Sequence, residues 1–430
     1  MCFYLETMSN RFFTHTIIAL GLLLFIVSLP ASGSDFQTVY DSAKKMRSIE
    51  IGERALEMAE INGDEQQLAK THFLIAFYQN EKGMYYDALN HYFFALYAYR
   101  DARNYGRQIA TLKNIGIIYS IGGFYEKAIS FYTDAADLAK ELNDISRLRS
   151  IQYHMARSYR LSGNYEKAND IYLSLIAEKE DIKNKTLLLD SYLELGHIAG
   201  MSLNDYEQAK KYFKDALSVY SPGEDGFESA QIKSMNGVGY FQMLQGKLEI
   251  AKDLFYKAMA LSKDLELNEP VLVNVYGNLG NIYEKSGLMD SSILMYEKGI
   301  ELEPLKNFDQ KYIQTANLLH NHYKTKSPEK REHYYQMVYE YGAELSELKA
   351  QLIKASQEYQ IRAADYRREL DLRIAKEKRM FWWDIFFYAL TLIVIASGVT
   401  FYYLEKRKRR KRLRKALDNA RIIVPLSSKY

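Results

Sequence analysis

Two stretches of this chain align without a gap at a spacing of forty residues: NIGIIYSIGGFYEKAISFYTDAADLA from Asn114 and HMARSYRLSGNYEKANDIYLSLIAEK from His154. The register sets Gly116 on Ala156, Tyr119 on Tyr159, Gly123 on Gly163, Ala128 on Ala168 and Tyr132 on Tyr172. Upstream the frame continues through Ala76, Gly83, Ala88, Tyr92 and Ala95. Downstream it passes Gly196, Ala209, Phe213 and Ala216, then Gly239, Gly246, Ala251, Phe255 and Ala258. The last clear copy carries Gly280, Tyr283, Gly287, Ser292, Tyr296, Gly299 and Pro304. A period of this length means supersecondary units that must stack, because one alone cannot bury its apolar faces.

The spacing within a unit is that of two antiparallel helices. Small residues recur where the helices approach, and aromatics recur three or four positions away to fill the groove between them. A glycine just before YEKA or its equivalent ends the first helix, since it tolerates the left-handed conformation. On these residues the chain resembles the tetratricopeptide repeat family, over residues 63–304 in six copies. The resemblance implies an all-α solenoid of helical hairpins whose first helices line a concave wall. A period of forty to forty-three exceeds the family's usual thirty-four, so longer helices or longer connections are expected.

In such proteins that wall binds an extended peptide or protein segment. Placing the family frame on this sequence puts Lys113, Asn114, His154, Arg157, Arg160, Asn236, Tyr240, Asn278 and Asn281 on it. Amides and bases of this kind hold peptide groups and carboxylates by charge-assisted hydrogen bonds. The competing reading is a solvated helix face with no ligand.

Residues 34–62 read as an N-terminal capping half-repeat, and 309–324 as a closing helix. From 327 to 379 the chain is charged and has one glycine, Gly342. Leu345, Leu348, Leu352, Ala355, Tyr359 and Tyr366 mark an interrupted heptad seam. The expectation for 305–379 is therefore a closing helix and a helical stalk, with a homodimer through a coiled coil as the partner reading; packing back on the repeats is the alternative.

Two apolar stretches bear on location. TIIALGLLLFIVSL, from Thr16 to Leu29, follows Arg11 and precedes small residues at Ala31, Ser32 and Gly33. At about 1.5 Å per residue it reaches roughly 21 Å, short of a bilayer core, which makes 1–33 a signal peptide. The second, residues 381–404, is roughly 36 Å of helix and spans a membrane. Trp382 and Trp383 mark one interface, and Tyr402 and Tyr403 the other. Lys406, Arg407, Lys408, Arg409, Arg410, Lys411 and Arg412 follow at once, and the net charge of +3 is concentrated there. They are expected to stay in the cytoplasm, leaving the repeats outside a single-pass inner-membrane protein. The basicity is too local for a nucleic-acid surface.

No chemistry is legible. Cys2 is the one cysteine, so there is no thiol zinc cage and no redox pair. No phosphate loop, nucleophile elbow or HExxH occurs, and GNLG from Gly277 lies on a repeat helix. His320 and His322 stand two apart and point to different sides of a helix. No catalytic residue, cofactor or metal is expected. The thirty-seven tyrosines fall largely on core positions of the repeat.

The layout of signal peptide, outer repeats, stalk, one span and a basic tail at 405–430 looks like the sensor half of bacterial one-span regulators. In that group such an ectodomain precedes a histidine-kinase core or a helix-turn-helix domain. The fifteen residues after Lys415 cannot bury a core, so the resemblance implies a sensor that lacks its output domain here. The alternative is a periplasmic scaffold for envelope complexes, with the tail only an anchor.

Overall fold

The computed structural model describes residues 35–178, 183–264, 271–302 and 310–422. The proposed signal peptide, Pro304 and the last eight residues lie outside them. Among the described residues all regular structure is helical. The chain divides into two units, Met1–Ala355 and Ser356–Tyr430.

In the first unit, six helix pairs follow one another. They are α3 (Glu65–Glu81) with α4 (Tyr85–Asp101), α5 (Tyr105–Ile121) with α6 (Tyr125–Glu141), and α7 (Ile145–Leu161) with α8 (Tyr165–Ala177). Then come α9 (Lys185–Ser202) with α10 (Tyr206–Leu217), α11 (Phe227–Leu244) with α12 (Leu248–Asp264), and α13 (Val271–Lys285) with α14 (Met289–Leu302). The extra length of the repeat resides in the helices. Helices α3 to α7 have 17 residues each, and three residues join α3 to α4 or α5 to α6.

Each joint is built alike. In the turn after α5, Gly123 has φ +81°, and the next amide, of Phe124, donates back to the Tyr119 carbonyl at 2.9 Å. Asn164 to Tyr159 and Leu288 to Tyr283 repeat that bond at 2.8 and 2.9 Å, the wide closure typical of a helix C-terminus with a left-handed residue. The entries are fixed by side-chain caps: Asn104, Asp144, Asn164, Asn184 and Asp205 each accept the amide three residues on.

The core is a row of aromatics facing small residues. A Cβ on Gly116 would lie 2.5 Å from the Tyr132 ring, and one on Gly280 would lie 2.4 Å from the Tyr296 ring. No side chain fits there, so the bare backbone is what admits the ring. Ala128, Ala168, Ala209, Ala251 and Ser292 are buried where the second helices meet the first.

Residues 34–62 differ from the expected half-repeat. They form a complete short pair, α1 (Phe36–Met46) and α2 (Ile49–Asn62). The turn between them is made by Arg47 at φ +50°, a residue type that sends no turn signal in the sequence. Arg103, Asn143 and Asn204 do the same elsewhere.

The closing helix also differs. α15 (Gln310–Tyr323) pairs with the start of α16 (Pro328–Ile422), and Tyr334 packs with Ile300, Ala316 and Leu319 in one cluster. Glu297 of α14 gathers the pair: the Tyr323 hydroxyl, the Tyr334 hydroxyl and Lys330 Nζ all donate to its Oε1 at 2.9, 3.2 and 2.9 Å. Those donors hold the Glu297 carboxyl below its usual range although burial pushes it up. The second helix of this seventh pair then continues. Tyr341, Leu348, Leu352 and Ala355 are buried in turn along one face. Leu352 Cδ1 occupies the space where a Cβ on Gly122 would lie, 2.1 Å away, at the end of α5. Two residues later Lys354 Nζ sits 5.2 Å from the Tyr86 ring centre, at the start of α4. The heptad seam over 348–355 is thus used within the chain, against the turns of the first two repeats. That corrects the expectation of a free stalk for this segment, because an apolar stripe covered by the repeats is not a dimer face.

In the second unit α16 runs on as a single helix. Its stretch Lys378–Ala416 is long and apolar enough to cross a membrane by length and composition, and none of its apolar window is buried. The hydroxyls of Thr391, Ser397 and Thr400 donate to carbonyls of their own helix at 2.7 to 2.8 Å.

Candidate functional site

The first helices of successive pairs stand side by side, so residues at one position of the repeat line up along a wall. Taking the small residue as reference (Gly116, Ala156, Gly196, Gly239, Gly280), the position two before it holds Asn114, His154, Glu194, Gly237 and Asn278. These residues read back onto the preceding pair. Asn114 Nδ2 meets the Tyr92 hydroxyl at 3.0 Å. The His154 ring stacks on Tyr132 with centroids 6.1 Å apart and planes at 23°. Glu194 stands by Tyr172, whose phenol is raised first by burial and then by that charge. Where the preceding aromatic is Phe213, which has no hydroxyl to satisfy, the position is Gly237; a Cβ there would lie 2.4 Å from the ring. Asn278 instead donates to Asn236 Oδ1 at 3.2 Å. Of the expected groove residues, Asn114, His154 and Asn278 therefore join repeats.

The positions three before, one after and four after the small residue form the rest of the wall. Lys113 Nζ lies 3.5 Å from Ser150 Oγ, and burial, with Arg147 second, lowers its pKa. Arg160 pairs with Glu194 at 2.5 Å. The Tyr240 hydroxyl faces Met201 Sδ at 3.7 Å, and Asn281 Oδ1 lies 2.7 Å from the Tyr296 hydroxyl. Asn236 is buried. Arg157 stands apart: it is exposed and makes no hydrogen bond or ion pair among the described residues.

The sequence frame missed the acids. Asp190 and Glu194 of α9 face Arg157 and Arg160 of α7 on one side, and Asp190 lies 3.9 Å from Lys233 of α11 on the other. Burial raises the Asp190 carboxyl, and Lys233 partly offsets it. The wall is accordingly a mixed-charge surface, with bases on α5 and α7 and acids on α9. Extending the frame to the fourth pair finds Glu194, which occupies the position of Asn114 and His154; Asp190, one turn earlier, lies outside it.

His154 is the most perturbed base of the wall. Burial first, then Lys113 and Arg157, pull its pKa down to about 3, so it is neutral at physiological pH. A second histidine pair, His72 and His91 in the first repeat, has Nδ1 atoms 2.7 Å apart, which requires one ring to donate and the other to accept. Among the described residues no group of three metal-ligating side chains assembles.

The tetratricopeptide repeat model matches residues 189–221 and 273–304, which are the fourth and sixth pairs. Among solved structures, the apo form of the quorum sensor NprR from B. thuringiensis has a TM-score of 0.53 at 19% identity, covering 71% of this chain and 86% of that one. NprR in complex with its cognate peptide NprX gives 0.47 at 16% identity, over 75% and 93% of the two chains. A tetratricopeptide repeat protein from Parabacteroides merdae gives 0.42 at 17%, over 66% and 98%. No curated protein matches in sequence. The likeness to apo NprR is one of fold.

Proposed function

We propose, from the premise that the chain is a tetratricopeptide-repeat array, that it is a membrane-anchored receptor whose wall of first helices binds an extended peptide or protein segment outside the cytoplasm. The observation that carries the reading is Arg157: a guanidinium exposed on a wall whose other charges are mostly paired. An exposed arginine that makes no hydrogen bond or ion pair among the described residues suits a carboxylate or a peptide carbonyl, which it holds with two parallel hydrogen bonds. That NprR is a quorum sensor fits the reading.

Signalling, in preference to scaffolding, is favoured by α16. One helix begins as the second member of the seventh repeat, seats Leu352 against the second repeat and continues through the apolar stretch. A ligand that shifts the repeats has that helix as its route to the membrane. Dimerisation through the stalk is confined to the part beyond Ala355. The chain itself is assigned no chemistry.

A photo-crosslinking amino acid at position 157, introduced in living cells, is expected to capture a discrete peptide or protein. The same group at exposed Glu126 serves as the control. Capture at both sites alike, or at neither, removes the groove as the binding surface. For orientation, a single cysteine at position 126 is expected to react with a membrane-impermeant maleimide on cells with the outer barrier opened, and one at Leu413 only after lysis. Labelling of position 413 alone without lysis reverses the topology.

A further inference from the structure

An open cleft of about 470 Å³ is lined by α10, α11 and α12. Its size falls in the usual range for small-molecule sites. The lining is apolar, from Phe213 and Leu217 of α10, Met235 and Val238 of α11, and Leu254 of α12. Gln231 and Ser234 of α11 add polar groups to that lining, and Ser234 is the buried one. Ser234 is only 6% exposed, and its Oγ has no hydrogen-bond partner.

The other repeats show what that hydroxyl ordinarily does. At the same position Thr71, Thr111 and Ser191 each donate to the carbonyl four residues back, at 2.7, 2.8 and 2.7 Å. Ser234 forgoes that bond beside the cavity, and a buried hydroxyl left unpaired costs about 1–3 kcal/mol. An acceptor atom from a ligand in the cavity would recover that cost. Charge lines it as well: Lys210, Lys211 and Lys214 of α10 stand against the single acid Glu207, and none of the three is ion-paired among the described residues.

We infer that this cavity binds a small amphipathic carboxylate, its apolar chain along Phe213, Val238 and Leu254 and its carboxylate reached by Ser234 and the α10 lysines. An apolar compound lacking the anion would leave the hydroxyl unpaired and the ammonium groups without a partner. A carboxylate suits both, since hydroxyl and ammonium groups donate to it with charge assistance.

The test uses the full chain in lipid nanodiscs, photolabelled with a diazirine-bearing decanoic acid and mapped by mass spectrometry. Labelling is expected on peptides holding Phe213 to Leu217 or Met235 to Val238. It should fall about tenfold in Ser234→Ala, which removes one hydrogen bond to a charged group. The triple variant Lys210→Gln, Lys211→Gln, Lys214→Gln should also lose labelling, and the matching diazirine decanol should label these peptides weakly in the wild type. Val238→Trp, which fills the cavity, should abolish labelling; if it does not fold, the serine and lysine variants decide. Labelling spread over the surface, or undiminished in Ser234→Ala and the lysine variant, overturns the site. Equal labelling by the alcohol overturns the carboxylate.

Discussion

Replacing Tyr132 by alanine is expected to destabilise the repeat array by about 3–5 kcal/mol, the cost of emptying an aromatic site that cannot collapse. Tyr132 is 1% exposed and lies against the bare backbone of Gly116 on one side and the His154 ring on the other. It therefore holds its own pair together and also joins that pair to the next. In a linear array stability is the sum of units and interfaces, so loss at this joint weakens both. Urea unfolding of the full chain in mild detergent, followed by circular dichroism, should show the midpoint fall and the single transition split. Tyr132→Phe keeps the ring and loses only the hydroxyl contact to Ser158, at about 1 kcal/mol. If the alanine variant costs less than the phenylalanine variant, the aromatic is not the joint described.

The second large effect is a loss of stability in mild acid. Burial, with His91 second, lowers the His72 pKa to about 4, and burial with Lys113 and Arg157 lowers that of His154 to about 3. Both folded values lie below the unfolded value of about 6.5, so the unfolded chain takes up protons first as the pH falls. The two contributions are complete above that value and are lost downward through it. At pH 5 each histidine costs about 2 kcal/mol, about 4 kcal/mol together. Asp190, raised by burial, acts in the opposite sense and offsets part of this. Unfolding free energies between pH 7.5 and 5 should fall accordingly, and the double variant His72→Gln, His154→Gln should flatten the slope. An unchanged slope in that variant would assign the acid sensitivity elsewhere.

Much of the architecture was legible because the repeat writes its packing as spacing. Gly116 opposite Tyr132, Gly280 opposite Tyr296 and the turn at Gly123 follow from what two helices need in order to approach and reverse. The turn at Arg47 was not legible, since arginine does not announce a positive φ. The wall was half legible. The frame places side chains on a helix but not what the next helix brings to them, so Asn114 and His154 read as groove residues when they face Tyr92 and Tyr132.

The sequence by itself determined the all-helical solenoid, its aromatic core and an apolar stretch long enough to span a bilayer, because each depends on residues within about forty positions of one another. Only the tertiary structure decided where the seam at Leu348, Leu352 and Ala355 goes, which charges on the wall are already paired, and that Ser234 is left without a partner. Those depend on which side chains meet across packed helices, such as Leu352 with Gly122 or Arg160 with Glu194, and the repeat spacing does not specify that. A heptad stripe is equally apolar whether it meets a second copy or its own repeats, and only the path of the chain chooses between them.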